Sequence, residues 1–397
     1  MLGRAVVADS TRYVFSAPPL AWADGLSREV YGVLGMPIDA LDRGEVVNRV
    51  TSAANAGRSL LLSTPNVNFL VVSQRDLVFR ESLLRSDLCS ADGMPIVWLA
   101  RLLGVPIPER VSGSDIFDVL RSSSSSDKPF KVFLFGGSDG VAATVSEMLN
   151  TQATGMQCVG WLNPGFGTVE EMSSSKIIKA INESGADLLA VFLSATKAQS
   201  WLLRNHGSLN IPVRAQLGAT INYQAGAVQR APVILQRLGF EWLWRIKEEP
   251  YLWRRYLWDG LALSRMITTR VLPITLNRCW HRLLLRSRKE ELLVRRVHRE
   301  TILIRLIGYA TAMNVAPAIL AFRNALADKR DITIDLSETR LIDSRFFGLL
   351  LMLRKEAEQN GIELKLTAIS SAIRRSFRLN GFEFLLDPSH ALLDHSS

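Results

Sequence analysis

The amino-acid sequence predicts an α/β protein in three parts: a mostly parallel sheet with helices on both faces, a basic helical appendage, and a second, smaller α/β unit. Three observations carry that expectation. Up to about residue 240, short apolar runs closed by Gly, Ser or other turn formers alternate with helix-length segments, the pattern of parallel strands joined by helical crossovers. Over residues 241–295 the strand signal disappears and arginine mixes with tryptophan. From about Arg296 the alternation resumes for roughly 100 residues, the size of one small domain.

Taken in order, residues 1–28 read as a weakly structured tail. The first unit, 29–240, opens with a helical pattern over 41–56. Its strands are expected at Ser59–Ser63, Lys131–Gly136, Cys158–Leu162, Leu188–Ser194 and Val213–Leu217, with helices such as Val141–Thr151 and Val169–Ser184 between them. The serine run at 122–126 is a surface loop of this unit, because the alternation resumes directly after it. The appendage, 241–295, is expected to break at Pro250 and Pro273. The last unit, 296–397, holds strands in TILIRLIG, DITIDLS and ELKLTAI and helices at Ala316–Ala327, Phe346–Gln359 and near Ala372–Leu379. In open parallel sheets, ligands bind beyond the carboxyl ends of the strands.

The chain has 397 residues and is 48% apolar, enough to fill two cores. Cys89, Cys158 and Cys279 are unpatterned, which suits a reducing compartment. Neither a signal peptide nor an uncharged apolar stretch of about 18 residues is visible, so a cytoplasmic protein is expected. The net charge of +9 is concentrated. Residues 241–295 hold 12 Lys and Arg against six Asp and Glu, a net +6, together with Trp242, Trp244, Trp253, Trp258 and Trp280. Indoles at headgroup level and cations facing anionic lipid suit the inner surface of the cell membrane, so a peripheral protein there is expected. A solvated basic face is one alternative and nucleic acid another. Cations alternate here with Trp and Leu and no recognition module is visible, so nucleic acid is not an expected partner.

Four segments place polar groups where a ligand would sit. Ser63-Thr64-Pro65-Asn66 closes the first strand and presents a hydroxyl and an amide, or else forms a turn and N-cap. Ala91-Asp92-Gly93-Met94-Pro95 exposes a carboxylate beside a glycine that turns the backbone tightly, or caps the helix through Val97 and Trp98. The stretch Glu109 to Asp115 is either an arginine facing phosphate or a loop before the helix at Ile116. FLFGGSDGVA sets Gly136, Gly137 and Gly140 at a helix start, where backbone amides cradle a diphosphate, or forms a plain tight turn. It is not a GxGxxG, so a dinucleotide site is weakly supported.

Together and in order, LLSTPNVNFL, RESLLRSDLCSADGMPIVWLARLLGVPIPERVSGSDIF, VFLFGGSDGVA, LGATINYQAGAVQRAP and GFEWLWRIKEEPYLWRRYL resemble the WecG/TagA/CpsF family over about residues 35–265. The resemblance implies a Rossmann-like, inverting glycosyltransferase. Such an enzyme moves a sugar from a UDP-sugar to a polyprenyl-diphosphate-linked saccharide in bacterial cell-surface or exopolysaccharide synthesis. Inversion needs a carboxylate to take the acceptor's proton while the nucleotide leaves from the opposite face. By the resemblance Asp92 is that base, Thr64 and Asn66 line its pocket, Arg110 approaches the phosphates, and Gly136, Gly137 and Asn222 lie on the donor side. Arg245, Arg254 and Arg255 match an appendage that closes over the site at the membrane. No D-x-D is present, so arginine is expected to neutralise the leaving diphosphate, with no metal and no other cofactor. Where the family reads G-x-P-K-Q-E this chain has Ser194-Ala195-Thr196-Lys197-Ala198-Gln199, and Asn222 replaces an aspartate. These departures raise an alternative, a scaffold or regulatory protein that keeps the fold.

The last unit resembles STAS domains, best at DITIDLSETRLIDSRFFGLLLMLRKEAEQNGIELKLTAIS. Those domains carry Asp-Ser, then Ser or Thr and Gly, at a helix N-terminus where phosphorylation switches partner binding. Asp343 and Ser344 match, whereas Arg345 and Phe346 replace the other two. Ser344 is thus a candidate regulatory residue, and the unit is expected to dock on a protein partner or on the transferase part itself.

Overall fold

The computed structural model describes residues 25–123, 128–152, 155–284, 291–298 and 301–386. Residues 1–24 of the expected tail and Ser124–Ser126 of the serine run lie outside the described residues. The rest of the tail is packed, contrary to expectation: Gly25–Ser27 forms a 3-10 turn with Leu26 wholly buried. A hairpin follows, β1 (Val30–Val33) and β2 (Met36–Asp39), joined through Leu34 and Gly35 at φ 46° and 91°. Two successive positive φ values make the type I′ turn that matches strand twist.

The main sheet has six parallel strands: β3 (Leu60–Ser63), β4 (Leu88–Cys89), β5 (Phe130–Gly136), β6 (Met156–Leu162), β7 (Leu188–Phe192) and β8 (Val213–Gln216). Their order is β4-β3-β8-β7-β5-β6. The connecting helices are α1 (Arg43–Asn55), α2 (Val67–Ser73), α3 (Leu77–Arg85), α4 (Met94–Leu102), α5 (Gly113–Ser122), α6 (Val141–Thr151), α7 (Ser175–Glu183), α8 (Ala195–Asn205) and α9 (Thr220–Gln224). Alternate strand residues feed opposite cores, as the pleat requires. Leu60, Leu62, Val132, Leu134, Leu188 and Ala190 pack with α1, α5 and α6. Leu61, Phe133, Phe135, Leu189 and Val191 pack with α8, where Trp201 stacks on Phe135 at 4.5 Å. Helices therefore cover both faces, which is why these strands read as continuous apolar runs.

Next come α10 (Val233–Arg237), α11 (Glu241–Glu248), α12 (Trp253–Met266) and α13 (Leu272–Leu284). Pro250 does break the chain, between α11 and α12. Pro273 does not, because helix continues from Trp253 to Leu284 through a π turn at Ile267–Val271. The wider turn directly before Pro273 accommodates its missing N–H and bulky ring.

The second unit contains β9 (Leu292–His298), β10 (Ile302–Ala310), β11 (Ile332–Asp335), β12 (Thr339–Ile342) and β13 (Leu364–Thr367), with α14 (Val315–Ala327), α15 (Ser344–Gln359) and α16 (Ser371–Asn380). Strands β12-β10-β11-β13 are parallel in that order, and β9 runs antiparallel to β10. β9 starts inside the span expected to be helical up to residue 295. Its alternation is written in arginine as much as in leucine, which hid the strand.

The two units share a core. Leu26, Val30 and Leu84 pack with Phe346, Phe347, Leu350 and Phe377 of the second unit. α15 lies against β1 so closely that a Cβ on Gly348 would overlap the Val30 carbonyl oxygen. Docking on the transferase part itself, one of the two expectations for this unit, is what the structure contains.

Candidate active site

The Asp92 and Thr64 loops lie at the carboxyl ends of the neighbouring strands β4 and β3. They are tied together: the Asp92 N–H donates to Pro65 O at 2.9 Å. Thr64 is buried. Asn66 is the N-cap of α2, its Oδ1 accepting from the Phe69 N–H at 3.2 Å. Asp92 caps nothing. Gly93 is the N-cap of α4 and offers no side chain, so the half-buried Asp92 carboxyl is left to the site.

Burial raises that carboxyl to about 7; Arg110 opposes the shift, Glu241 and Asp115 add to it, and Arg230 opposes it. A carboxyl so poised exchanges a proton near neutrality, as a general base must. Cys89, three residues earlier, is no rival nucleophile, since burial pushes its thiol up to about 12.

The Arg110 loop is zipped to the same place. The Val111 N–H donates to Ala91 O at 2.9 Å, and Ser90 Oγ donates to Val111 O at 3.0 Å. Arg110 pairs with Asp115 at 3.1 Å and with Glu241 of α11 at 3.0 Å, and it donates to Gln236 Oε1 at 3.1 Å. Ser112 and Asp115 form a capping box on α5, and Asp115 also meets Arg230 at 2.5 Å. Arg230 pairs with Asp118 at 2.9 Å, while its buried Nε has no partner among the described residues. Around this network opens a cleft of about 480 Å³ whose charged lining is Arg43, Arg101, Arg110, Arg230 and Arg237 against Glu109 and Asp115. With Glu241 and Asp118, which pair with Arg110 and Arg230 from outside the lining, five arginines stand against four carboxylates, and the network keeps a positive excess.

Gly136, Gly137 and Asn222 stand farther along the same sheet end. Gly136 and Gly137 have φ of 94° and 92°, which glycine alone adopts cheaply. A Cβ on Gly137 would reach Ile221 of α9 at 3.3 Å, so the glycine turn and half-buried Asn222 adjoin. The Ser114–Thr220 hydroxyl pair, at 3.0 Å, links this side to α5. Arg245 joins it too, donating to Tyr223 Oη at 2.6 Å and to Glu249 at 2.5 Å.

Other predicted residues stay apart. Arg254 and Arg255 are exposed on α12, lying over the Trp253 and Tyr256 rings at 5.5 and 4.9 Å. Ser344 is buried, its Oγ donating to Leu103 O at 3.4 Å. Ala198 and Gln199 are completely buried, with Gln199 Nε2 donating to Ser63 Oγ at 3.0 Å, so that departure belongs to packing beneath β3. Asp115 lies in the Glu109–Asp115 segment singled out from the sequence, whereas Arg230, Glu241, Gln236 and Tyr223 were not singled out individually. Only Asp115 had a local signal, its place three residues after Ser112 in a capping-box spacing.

Among the described residues, no helix is long and apolar enough to cross a membrane and no group of three or more His, Cys, Asp or Glu is placed to hold a metal ion. The chain is similar to the N-acetylglucosaminyldiphosphoundecaprenol N-acetyl-beta-D-mannosaminyltransferase of Bacillus spizizenii, with 25% identity over 203 residues, 51% of this chain and 76% of that one. It is 24% identical to the Bacillus subtilis protein of the same name over 193 residues, 49% and 72% of the two chains. The solved structure of the Bacillus cell fate determinant SpoIIAA in the phosphorylated form covers 25% of this chain and 95% of its own, with 23% identity and a TM-score of 0.21. The Mlab, STAS domain profile matches residues 294–387. The glycosyl transferase WecG/TagA/CpsF profile matches residues 31–273, the stretch that holds Asp92, the arginine cleft and the glycine turn. The chain belongs to that family of glycosyltransferases and carries a STAS domain behind it.

Proposed function

We propose that the chain transfers an N-acetylhexosamine, N-acetylmannosamine first among candidates, from a UDP-sugar to a polyprenyl-diphosphate-linked N-acetylglucosamine, inverting the anomeric carbon. The relatives' names supply the sugar classes. The observation that carries the chemistry is Asp92, raised to about 7 beside a cleft lined by five arginines. Asp92 takes the proton of the acceptor hydroxyl as it attacks. The cleft arginines stabilise the negative charge of diphosphate, and Gly136, Gly137, Asn222 and Tyr223–Arg245 bound the donor side. Thr64 and Asn66 orient the acceptor. Ala198 and Gln199 are buried and do not line the arginine cleft, while Gln199 bonds Ser63 beside Thr64 at 3.0 Å. UDP and UDP-N-acetylmannosamine should raise the melting temperature of the full chain, and Arg110→Ala should weaken that protection. Failure of every UDP-sugar to protect would count against the reading.

Arginine in place of a metal has a direct consequence. With guanidinium groups already facing the diphosphate, transfer should proceed in EDTA at the rate seen with added Mg²⁺. Loss of transfer in EDTA, restored by a divalent ion, would assign the charge neutralisation elsewhere.

The appendage is the surface we assign to an anionic membrane, where the lipid-linked acceptor resides. Trp242, Trp253, Trp258 and Trp280 are 40–69% exposed, beside exposed Leu257, Leu261 and Leu276 and the cations Arg254 and Arg255. Each cation near such a surface contributes about 1 kcal/mol. Arg254→Ala with Arg255→Ala should therefore weaken binding to phosphatidylglycerol vesicles about 30-fold while the melting temperature stays put. Unchanged vesicle binding would remove these two residues from the contact.

A further inference from the structure

The proposed base hangs from an unusually slight strand. β4 has two residues, sits at the sheet edge and pairs with β3 through Leu88 and Cys89, and backbone bonds from Asp87 to Leu61 at 2.8 Å, Ser90 to Ser63 at 3.1 Å and Asp92 to Pro65 at 2.9 Å continue that contact. Asp92 follows three residues later and leads into α4. The segment 86–103 is also held from outside the sheet.

Three supports are visible. Along the free edge, the Cys89 N–H donates to Asp39 Oδ2 at 2.6 Å, and Arg28 grips Asp39 with two bonds of 2.7 Å while donating to Ser86 O at 2.9 Å. At the start of the segment, Lys355 Nζ of α15 donates to Arg85 O at 2.8 Å and Ser86 O at 3.3 Å, and pairs with Asp87 Oδ1 at 2.6 Å. Asp87 carries that hold into β3, its Oδ2 accepting from the Leu61 N–H at 2.9 Å. At the end, Ser344 Oγ meets the carbonyl of Leu103, the C-cap of α4. Ser344 and Lys355 are 11 residues apart on α15, which is three helical turns, about 16 Å, on one face.

We infer that α15 of the STAS domain is a positioning element of the transferase: Lys355 and Ser344 clamp the two ends of the segment that carries Asp92 and so set where its carboxylate meets the acceptor. The inference rests on Asp92 as the base. Lys355 touches no reacting atom in this account and acts only through β4. An ammonium suits the place because it satisfies a carboxylate and two carbonyls at the C-terminal end of α3. Methionine keeps the stem and loses those bonds, whereas arginine keeps the charge.

The test uses the full chain with Lys355→Met, Lys355→Arg and, as a control in the same domain, Arg305→Met, which removes an ion pair with Asp335 at 2.7 Å. Amide hydrogen exchange of residues 86–104 is measured beside kcat and KM, with UDP-N-acetylmannosamine and a short polyprenyl-diphosphate N-acetylglucosamine as substrates. Lys355→Met should speed exchange in that segment and lower kcat about tenfold, with KM for the donor within about twofold of wild type. Lys355→Arg should restore both, and Arg305→Met should move neither. Wild-type exchange in Lys355→Met, or faster exchange with unchanged kcat, would overturn the inference. If Lys355→Met does not fold, Ser344→Ala should speed exchange at Leu102–Gly104, and its failure to do so would equally overturn it. A wild-type chain inactive on this substrate pair would instead count against the proposed function, and the exchange data alone would then decide whether α15 clamps the segment.

Discussion

Asp92→Asn should lower transfer by about 10²–10⁴-fold, the usual worth of a positioned general base, while nucleotide binding survives. The amide has nearly the shape of the carboxylate and cannot accept the acceptor's proton. The pH dependence has a definite sign. Burial raises the carboxyl to about 7, with Arg110 and Arg230 opposing the shift and Glu241 and Asp115 adding to it. The working form is ionised, so wild-type kcat/KM should fall about tenfold per unit as pH drops below about 7. Stability runs the other way. The unfolded carboxyl titrates near its ordinary value of about 3.9, so the folded state holds this proton more tightly. Stability contributed by Asp92 is complete below about pH 4 and is lost as pH rises through about 7. Asp92→Asn should therefore melt above wild type at pH 8, by roughly 2–5 °C, with the gap closing at pH 4. A variant that transfers at the wild-type rate would remove Asp92 from the base's role.

Removing residues 291–397, which hold β9 and the STAS domain, should abolish cooperative folding of what remains. Leu26, Val30 and Leu84 are buried among its side chains, and each such residue exposed to water costs about 1.5–3 kcal/mol. Three of them amount to about 5–9 kcal/mol, against a total stability of about 5–15 kcal/mol for an ordinary protein. The truncated chain also loses the Lys355–Asp87 and Arg354–Glu81 ion pairs, of 2.6 and 3.2 Å. Aggregation, or a broad and early melting transition, is the expected result. Gly348→Ala should weaken the same seam within the intact chain, since its methyl group would overlap Val30 O. A truncated chain that stays monomeric and melts sharply at the wild-type temperature would show that the seam contributes little.

Most of this architecture was legible because its elements announce themselves locally. β3, β5 and β7 are apolar runs closed by turn formers, and the loops at Thr64 and Gly136 follow directly from the ends of expected strands. What escaped was built by tertiary contact. β4 is two residues long, too short for any periodicity. The β1–β2 hairpin turns through Leu34-Gly35 without the Asn-Gly or Asp-Gly that signals such a turn. The arginine cleft gathers Arg43 and Arg237 from segments almost 200 residues apart. Glu241 reads as one more charge on a basic helix until α11 brings it to Arg110. The seam between the units was least visible of all, since Lys355, Asp87 and Glu81 have the composition of an ordinary wet surface.

The measurement that bears most directly on the central claim is transfer itself. Purified full-length chain, with phosphatidylglycerol vesicles carrying a polyprenyl-diphosphate N-acetylglucosamine, is supplied with labelled UDP-N-acetylmannosamine and, in parallel, other UDP-N-acetylhexosamines. The account predicts label in the lipid-linked product, a β linkage at the new anomeric centre, and no product from Asp92→Asn above about one hundredth of the wild-type rate. Lipid-linked product of retained configuration, or none from any UDP-sugar although the chain binds UDP, would contradict it.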